Sequence, residues 1–469
     1  MIDKNLSKNI AFLKERYGIG ETFDIVEKEI LIGKKEAYLL MINGFVNSLE
    51  MSLVIQHLQS LDIKKIDNLT NFIKKDMFHI EVQESDDFKF IEMMFLGGAI
   101  ILFIDGEDKA IIVDARQFPI RGMEEPDLEK VTRGPRDGFV ETLVFNTALV
   151  RRRVRDENLR FKVKTVGKRT KTNLAVAYIT DLVDKDLLKD IEDKIDSIDL
   201  ETLVMAEKTL SEQLIPAAWF NPLPKVRYTE RPDVVASHLF EGHIVIMVDT
   251  SPSVIIVPTT VFHFTQHAED YYQAPIVGTY VRQIRFFALL ISLLLIPAWY
   301  LMSLYTSILP TWLQVISLNA TDNFPVIAQL LILDFSVDLL KISAIHTPNP
   351  LGPSLGIVGG LILGNYAVEA GLFTGEAILI TAITAIATFA TPSIEFGHAM
   401  RIFRLFLLLL TAIFKLPGFI IGLLIILIMT FATKNGSRTS YIYPLIPFNF
   451  THLKHILFRV PFPKTKKNK

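Results

Sequence analysis

The chain has 469 residues, 50% of them apolar, and its mean hydropathy of +0.34 exceeds what a soluble globular protein requires. The net charge of −2 averages two different parts: residues 1–285 are rich in charged side chains, whereas residues 286–400 hold six acids and one base, Lys341. The absence of cysteine excludes disulfides, thiolate metal sites and cysteine nucleophiles. Since the charged N-terminus lacks the apolar core of a secretory signal, we expect membrane insertion through internal segments.

Residues 1–280 alternate between short strand patterns and helical patterns, which predicts α/β lobes. The segments FLGGAIILFIDGEDKAIIVDA (95–115) and LFEGHIVIMVDTSPSVIIVPT (239–259) each contain a Gly, a strand, an Asp and a second strand in the same order. We therefore predict two duplicated α/β lobes in an N-terminal soluble domain, 1–130 and 131–281, divided near the turn-rich stretch 123–138. A chance likeness of short strand patterns is the alternative.

Basic residues cluster in the stretch NTALVRRRVRDENLRFKVKTVGKRTKT (146–172). Arg151 and Arg155 share a helical face, and we predict that they form a basic interface with an acidic neighbouring lobe or with anionic lipid headgroups. A solvated face with local ion pairs is the alternative. We expect no nucleic acid partner, because the stretch has no interleaved aromatics and no known nucleic-acid-binding motif.

The segment FFALLISLLLIPAWYLMSLY (286–305) carries no charge and is long enough to cross about 30 Å of hydrocarbon. Arg282 and Arg285 precede it, so the positive-inside rule places the lobes in the cytoplasm and the loop 306–322 outside. We predict an all-α polytopic membrane domain over 282–440, with five or six helical elements, and a basic cytoplasmic tail over 441–469.

Two later segments contain patterns that predict helix packing. The first is a ridge of small residues, Gly352, Gly356, Gly360 and Gly364. Such a ridge allows close approach of another helix, within the chain or between copies. The last apolar run, 405–433, is interrupted at Lys415-Leu-Pro-Gly418. Basic residues flank both of its ends, Arg401 and Arg404 before it and Lys434 and Arg438 after it, which favours a hairpin with two cytoplasmic ends over one tilted helix.

Carboxylates inside apolar segments usually line ion pathways or pair with a cation. Asp334 and Asp338 lie one turn apart in the segment 323–345, and a threonine stripe follows in 377–392. We predict a cation pathway between several copies, lined by Asp334, Asp338, Glu369, Glu395, Thr384 and Thr388. As alternatives, Lys341 neutralises Asp338, and the threonines bond their own helix backbone.

We predict no enzyme and no cofactor, because the sequence lacks HExxH, GxSxG, GxxxxGK[ST] and a GxGxxG after a strand. His263 and His267 lie one turn apart and could bind a metal with Glu269 or Asp270. Surface or interface histidines are the interpretation that we favour, so no metal is predicted.

Four stretches, in order, resemble the A-subunits of spore germinant receptors, the GerA family: RGPRDGFVETLVFNTALVRRRVRD (133–156), SPSVIIVPTTVFHFTQHAEDYY (251–272), GIVGGLILGNYAVEAGL (356–372) and TPSIEFGHAMRIFR (391–404). The resemblance implies a protein of the endospore inner membrane that forms a cation-conducting homo-oligomer and acts with other membrane germination proteins. It implies no catalytic residue and assigns none of the pathway residues. His267 stands where the nutrient-receptor subunits more often have a proline, which argues against direct nutrient sensing.

Our hypothesis is therefore an oligomeric, non-enzymatic channel subunit that transmits or amplifies a germination signal as monovalent-cation flow. The alternatives are a non-conducting receptor or scaffold subunit that binds a germinant or a partner protein, and a solute transporter subunit.

Overall fold

The computed structural model describes residues 2–46, 48–60, 81–116, 129–215, 218–306, 310, 324–346, 369, 371–435 and 440–460. These residues belong to two compact units. Unit 1 comprises Met1–Ala217, Val226–Thr259 and Asn435–Ser437, and unit 2 comprises Ala218–Lys225, Thr260–Lys434 and Arg438–Lys469. The main division therefore lies at 259–260, whereas the sequence analysis divided the chain at 281–282.

Unit 1 contains two lobes, each with a five-stranded antiparallel sheet. The first lobe consists of α1 (Leu6–Tyr17), β1 (Ile25–Ile32), β2 (Lys35–Ile42), α2 (Ser48–Ser60), β3 (Val82–Ser85), α3 (Phe88–Leu96), β4 (Ile100–Ile104) and β5 (Ala110–Val113). The second lobe consists of α4 (Leu143–Arg153), β6 (Leu159–Val166), β7 (Thr172–Ile179), α5 (Lys185–Asp196), α6 (Ala206–Leu214), β8 (Arg227–Thr229), α7 (Pro232–Phe240), β9 (Ile244–Val248) and β10 (Val254–Val257).

The two sheets have the same strand order, β1-β2-β4-β5-β3 and β6-β7-β9-β10-β8, so the prediction of two α/β lobes is confirmed. The turn aspartates that the sequence analysis aligned occupy matching places. Asp105 Oδ1 accepts a hydrogen bond from the Leu6 amide at 3.2 Å, and Asp249 Oδ1 accepts one from the Leu143 amide at 3.1 Å. Each aspartate thus caps the first helix of its lobe, where an amide lacks an intrahelical partner and a negative charge is stabilised.

Two glycines before the central strands also match. Gly98 has φ +99° and Gly242 has φ +84°, a region that residues with a Cβ rarely adopt. A Cβ at Gly98 would lie 2.6 Å from the Phe45 ring, and one at Gly242 would lie 2.6 Å from the Leu182 carbonyl oxygen. Glycine therefore allows the helix-to-strand turn in both lobes.

Unit 2 is largely helical. Its elements are a 3₁₀-helix (Val261–Thr265), α8 (Glu269–Tyr272), α9 (Pro275–Leu304), α10 (Val326–His346), α11 (Gly375–Phe389), α12 (Ile394–Ala432) and α13 (Phe450–Leu457). Among the described residues, α9 and α12 are the two helices long and apolar enough to cross a membrane. The ridge of Gly352, Gly356, Gly360 and Gly364 lies outside the described residues.

Helix α12 reverses direction at Lys415, whose φ of 55° and ψ of −134° are non-helical. A Cβ at Gly418 would lie 2.1 Å from the Leu410 carbonyl oxygen, and one at Gly422 would lie 2.6 Å from Leu407 Cδ1. In a continuous helix, residues 15 apart are separated by about 22 Å. The segments 394–414 and 416–432 are therefore the two arms of a helical hairpin that turns at Lys415–Gly418, the arrangement that the flanking charges favoured.

Candidate functional site

A buried cluster of charged side chains joins α10 to the first arm of α12. Asp334 and Asp338 lie one turn apart on α10, and Arg401 and Arg404 lie at i and i+3 on α12. Both spacings place a pair of side chains on one helical face, so two acids can oppose two bases across the contact between the helices.

Arg404 is the most extensively bonded member of the cluster. Its Nη2 donates to Asp334 Oδ1 at 2.6 Å, and its Nη1 donates to the Ser292 carbonyl of α9 at 2.7 Å. The same Nη1 lies 3.4 Å from Thr388 Oγ1 of α11. One guanidinium thus connects four helices, as its fan of fixed donors permits.

Arg401 contacts both aspartates. Its Nη2 donates to the Asp334 backbone carbonyl at 2.6 Å and lies 3.7 Å from Asp334 Oδ2, and its Nη1 pairs with Asp338. Lys341 instead lies over the Phe389 ring, with Nζ 4.3 Å from the ring centroid. The cation on Asp338 is therefore Arg401, whereas the sequence analysis considered Lys341 for that place.

Burial makes these ion pairs interdependent. Asp334 and Arg404 are almost inaccessible, whereas about a third (35%) of the Asp338 side chain remains exposed. Among the described residues, Asp334 Oδ2, Arg401 Nε and Arg404 Nε are buried without a hydrogen-bond partner. A buried charge is tolerated only with its counter-charge. Removal of one member of a pair would therefore leave the other as an uncompensated buried charge, which strongly destabilises the fold.

The two predicted threonines face the interior of the helical unit. The Thr384 hydroxyl donates to the Ile380 carbonyl and the Thr388 hydroxyl donates to the Thr384 carbonyl, both at 2.8 Å. These are bonds to the helix's own backbone, and Thr388 additionally contacts Arg404. Both threonines are buried, with Thr384 1% and Thr388 8% exposed.

Glu369 and Glu395 are exposed, and neither contacts the Asp334 cluster. Glu395 accepts a hydrogen bond from the Ser393 hydroxyl at 3.0 Å, just before the first turn of α12. The structure therefore brings Asp334, Asp338 and Thr388 together and leaves Glu369 and Glu395 apart from them.

The predicted basic interface separates into two different environments. Arg151 is buried and donates to Asp24 of the first lobe at 2.7 Å, while Arg155 is exposed. Arg151 thus contacts an acidic residue of the neighbouring lobe, one of the partners considered from the sequence.

The two histidines considered as metal ligands serve the local backbone. His263 Nδ1 accepts from the Thr260 amide at 3.1 Å, and His267 Nδ1 accepts from the Glu269 amide at 3.2 Å. Asp270 pairs with Arg282 and Arg285.

Arg401 and Arg404 are the site residues that the sequence analysis did not assign. They were interpreted as cytoplasmic flanking charges because they precede an apolar run. The available signal was their i, i+3 spacing, which complements the i, i+4 spacing of Asp334 and Asp338 on another apolar helix.

Comparisons with known proteins extend over the whole chain. The family model described as Bacillus/Clostridium GerA spore germination protein matches residues 11–469. The chain is 42% identical over 465 residues to stage V sporulation protein AF of Bacillus subtilis (strain 168), which covers 99% of this chain and 94% of that protein. It is 32% identical to spore germination protein KA of the same organism, over 98% of this chain and 86% of that protein.

A crystal structure of the N-terminal domain of the A subunit of the Bacillus megaterium spore germinant receptor GerK3 also matches. The identity is 26% and the TM-score 0.42, over 55% of this chain and 96% of that one. The family match and the extent of the two relatives lead to one conclusion: this chain belongs to the GerA family of spore germination proteins.

Proposed function

We propose that this chain is a membrane subunit of a spore-germination complex in the endospore inner membrane, and that several copies assemble into a channel for monovalent cations. Its relatives along the full length are named as spore germination or sporulation proteins. The long apolar helix α9 and the apolar hairpin of α12 support placement in a membrane.

The observation that carries the channel proposal is the set of exposed carboxylates in unit 2. Asp338 keeps about a third of its side chain exposed although it pairs with Arg401. Glu369 and Glu395 are exposed and form no ion pair among the described residues. Such groups, turned toward water between copies, would attract cations and repel anions.

The buried pair of Asp334 and Arg404 has another role in this proposal. It neutralises one of the six acids that made the apolar region appear strongly acidic, because Arg404 lies just beyond residue 400. In this proposal Asp334, Thr384 and Thr388 hold the helices in register. The cation pathway is lined by Asp338, Glu369 and Glu395.

A non-conducting receptor or scaffold subunit is the second candidate. The complete enclosure of Asp334 by Arg404 and Arg401 favours it, since a dry, paired carboxylate transmits packing rather than ions. In that case the helical unit would relay a signal by rearrangement of the ion pairs, without ion flow.

Conductance measurements on the purified full-length chain in proteoliposomes, with ion substitution, distinguish the candidates. We expect cation-selective currents that fall about tenfold in Glu369→Gln/Glu395→Gln, because both carboxylates are exposed and a focused negative potential concentrates cations at least to that degree. Asp181→Asn, a neutralisation at an exposed site in the second lobe, is the control and should leave the currents unchanged. Absence of current in every variant would support the scaffold, and saturable solute uptake without current would support a transporter.

A further inference from the structure

The segment that follows the α12 hairpin presents an exposed apolar surface, here called the apolar rim. Its members are the large hydrophobic side chains Leu445, Ile446, Phe448, Phe450 and Phe458, which are 43–67% exposed. Four of them fall within six consecutive residues. None of the residues of α13 is buried, although Leu453, Ile456 and Leu457 are half-buried.

The rim is attached to the start of the first long apolar helix. Arg282 of α9 donates from Nη1 to the carbonyls of His455 and Ile456, both at 2.9 Å, and Gln283 donates to the Leu457 carbonyl at 2.7 Å. These bonds fix the last turn of α13 beside α9 immediately before its uncharged 286–305 segment begins. The rim therefore lies at the level where α9 would enter a bilayer.

Basic residues accompany the rim, and acids are absent from its sequence neighbourhood. Residues 434–469 contain no Asp or Glu, and their bases are Lys434, Arg438, Lys454, Arg459, Lys464, Lys466, Lys467 and Lys469. Lys454 and His455 are exposed beside the aromatic side chains. An aromatic and aliphatic face with neighbouring bases is the composition of a helix that lies in the headgroup region of an anionic membrane.

A second loop of unit 2 offers the same chemistry next to this segment. Trp219 is 96% exposed and Phe220 is 64% exposed. Their loop is held by Asn221, which donates to Thr433 Oγ1 at 2.9 Å, and by Tyr441, which donates to the Pro224 carbonyl at 2.8 Å. An exposed tryptophan fixed at the end of an apolar helix is typical of the membrane–water interface.

We infer that the apolar rim, with Trp219 and Phe220, inserts into the headgroup region of an anionic leaflet and binds its lipids. The rim is bonded to the start of α9, the sequence 434–469 has bases and no acids, and aromatic side chains are fixed at two neighbouring places. Insertion of the rim also depends on the membrane placement proposed above. The bound lipid surface would tie α9 and α13 together at the cytoplasmic end of the helical unit.

The absence of cysteine from the chain permits a direct test with single reporters. The full-length variant Phe448→Cys is labelled with a polarity-sensitive fluorophore and reconstituted into vesicles of phosphatidylcholine alone or of phosphatidylcholine with phosphatidylglycerol. Spin-labelled lipids then quench fluorophores that contact the bilayer. We expect a blue shift and strong quenching in the anionic vesicles, and a loss of quenching in neutral vesicles or at high salt.

Two further reporters separate this inference from the membrane placement itself. Leu290→Cys, on the exposed side of α9 (55% exposed), should be quenched in every vesicle. Leu31→Cys is an equally apolar and similarly exposed position (58%) in the first lobe and should not be quenched. Quenching at Leu290 without quenching at Phe448 would refute lipid binding by the rim, and a lack of quenching at both would refute the proposed membrane placement.

A separate variant tests the contribution of basic charge to lipid binding by the rim. Lys454→Glu leaves the apolar side chains in place and reverses an exposed charge beside them. We expect it to reduce quenching at Phe448 in anionic vesicles and to leave quenching in neutral vesicles unchanged. Equal quenching in neutral and anionic vesicles, unaffected by salt, would show that the rim does not prefer anionic lipid. A reporter at Phe448 that is shielded from water but not quenched by lipid would show that the rim contacts protein instead.

Discussion

Asp24 and Arg151 form a buried ion pair between the two lobes of unit 1, with side chains about 1% exposed. Arg151 also donates to the carbonyls of Asp156 at 2.9 Å and Leu159 at 3.0 Å, and its guanidinium lies 5.4 Å from the centre of the Phe161 ring. Each of the three guanidinium nitrogens therefore donates a hydrogen bond, which favours tolerance of the buried charge.

Replacement of Arg151 by Ala should destabilise unit 1 strongly. Asp24 would keep its burial without its counter-charge, which typically costs about 3–5 kcal/mol of unfolding free energy. Chemical unfolding of the full chain in detergent, followed by hydrogen exchange of peptides from the lobes, measures the change. Arg155→Ala is the matched control, because Arg155 is exposed on the same short stretch and should change stability by less than about 0.5 kcal/mol. Similar losses in both variants would show that the buried pair contributes no special stability.

The environment of Tyr17 predicts that the first lobe loses stability at alkaline pH. Burial first, and then the neighbouring Glu92 that accepts its hydroxyl at 3.0 Å, raise the pKa of Tyr17 above its ordinary value of 10. Above pH 10 the unfolded chain releases a proton that the folded lobe retains, so stability falls as the pH rises further. Tyr17→Phe should weaken this fall, at the expense of about 1 kcal/mol at neutral pH. The exposed Tyr280→Phe should leave the pH slope of lobe unfolding unchanged.

At the scale of elements, the two arms of the α12 hairpin approach each other closely at two glycines, one against backbone and one against a leucine side chain. Gly418 lies against the backbone at Leu410, and Gly422 lies against Leu407. Inside a lipid bilayer, where the hydrophobic effect does not drive helices together, close packing at such glycines provides much of the attraction. Lys415 adopts the non-helical turn between the arms and remains exposed.

A cysteine pair across the arms should report the hairpin directly. In Leu407→Cys/Gly422→Cys, the first change removes the Leu407 Cδ1 atom that a Cβ at 422 would meet, while that Cβ lies 3.8 Å from the Leu407 Cα. These positions suit a disulfide. Mild oxidation should therefore cross-link them in the full-length chain reconstituted into vesicles, as detected by mass spectrometry after proteolysis. Ile394→Cys/Leu409→Cys has the same sequence separation within one arm and should stay reduced, and a lack of cross-linking in both pairs would contradict the reversal.

The sequence predicted the helices and strands more accurately than the tertiary contacts between them. The repeated order of Gly98, Asp105 and two strands, and of Gly242, Asp249 and two strands, indicated two matching lobes because strand and turn signals are local. The hairpin was favoured over a single helix from flanking charges alone, since the closeness of Gly422 and Leu407 is a tertiary fact that no local pattern encodes.

At the scale of the whole molecule, the charge cluster of unit 2 shows where sequence reasoning was insufficient. The positive-inside rule treats an arginine near an apolar run as a flanking anchor. Arg401 and Arg404 instead pair with acids 63–70 positions earlier, and the fold alone brings these helices together. The sequence therefore identified Asp334 and Asp338 as unusual but could not identify which cation accompanies them.

This cluster predicts a thermodynamic coupling through unit 2. Asp334→Asn and Arg404→Gln should each destabilise the chain by about 3–5 kcal/mol, because each leaves one charge buried without its partner. The double variant removes both charges and should regain a large part of that loss, giving a coupling energy well above the usual limit for surface pairs. Thermal unfolding in detergent and the amount of protein in the membrane fraction provide the measurements.

Glu376→Gln is the control for these variants, since Glu376 is half-buried in the first turn of α11 and lies outside the cluster. Additive losses in the double variant would mean that Asp334 and Arg404 act independently, against the 2.6 Å contact between them. If the double variant folds, its activity also distinguishes the channel from the scaffold. If the double variant restores folding and still conducts cations, the pair maintains the architecture of a channel whose path lies elsewhere; if folding returns and germination signalling does not, rearrangement of the pair is part of the signal.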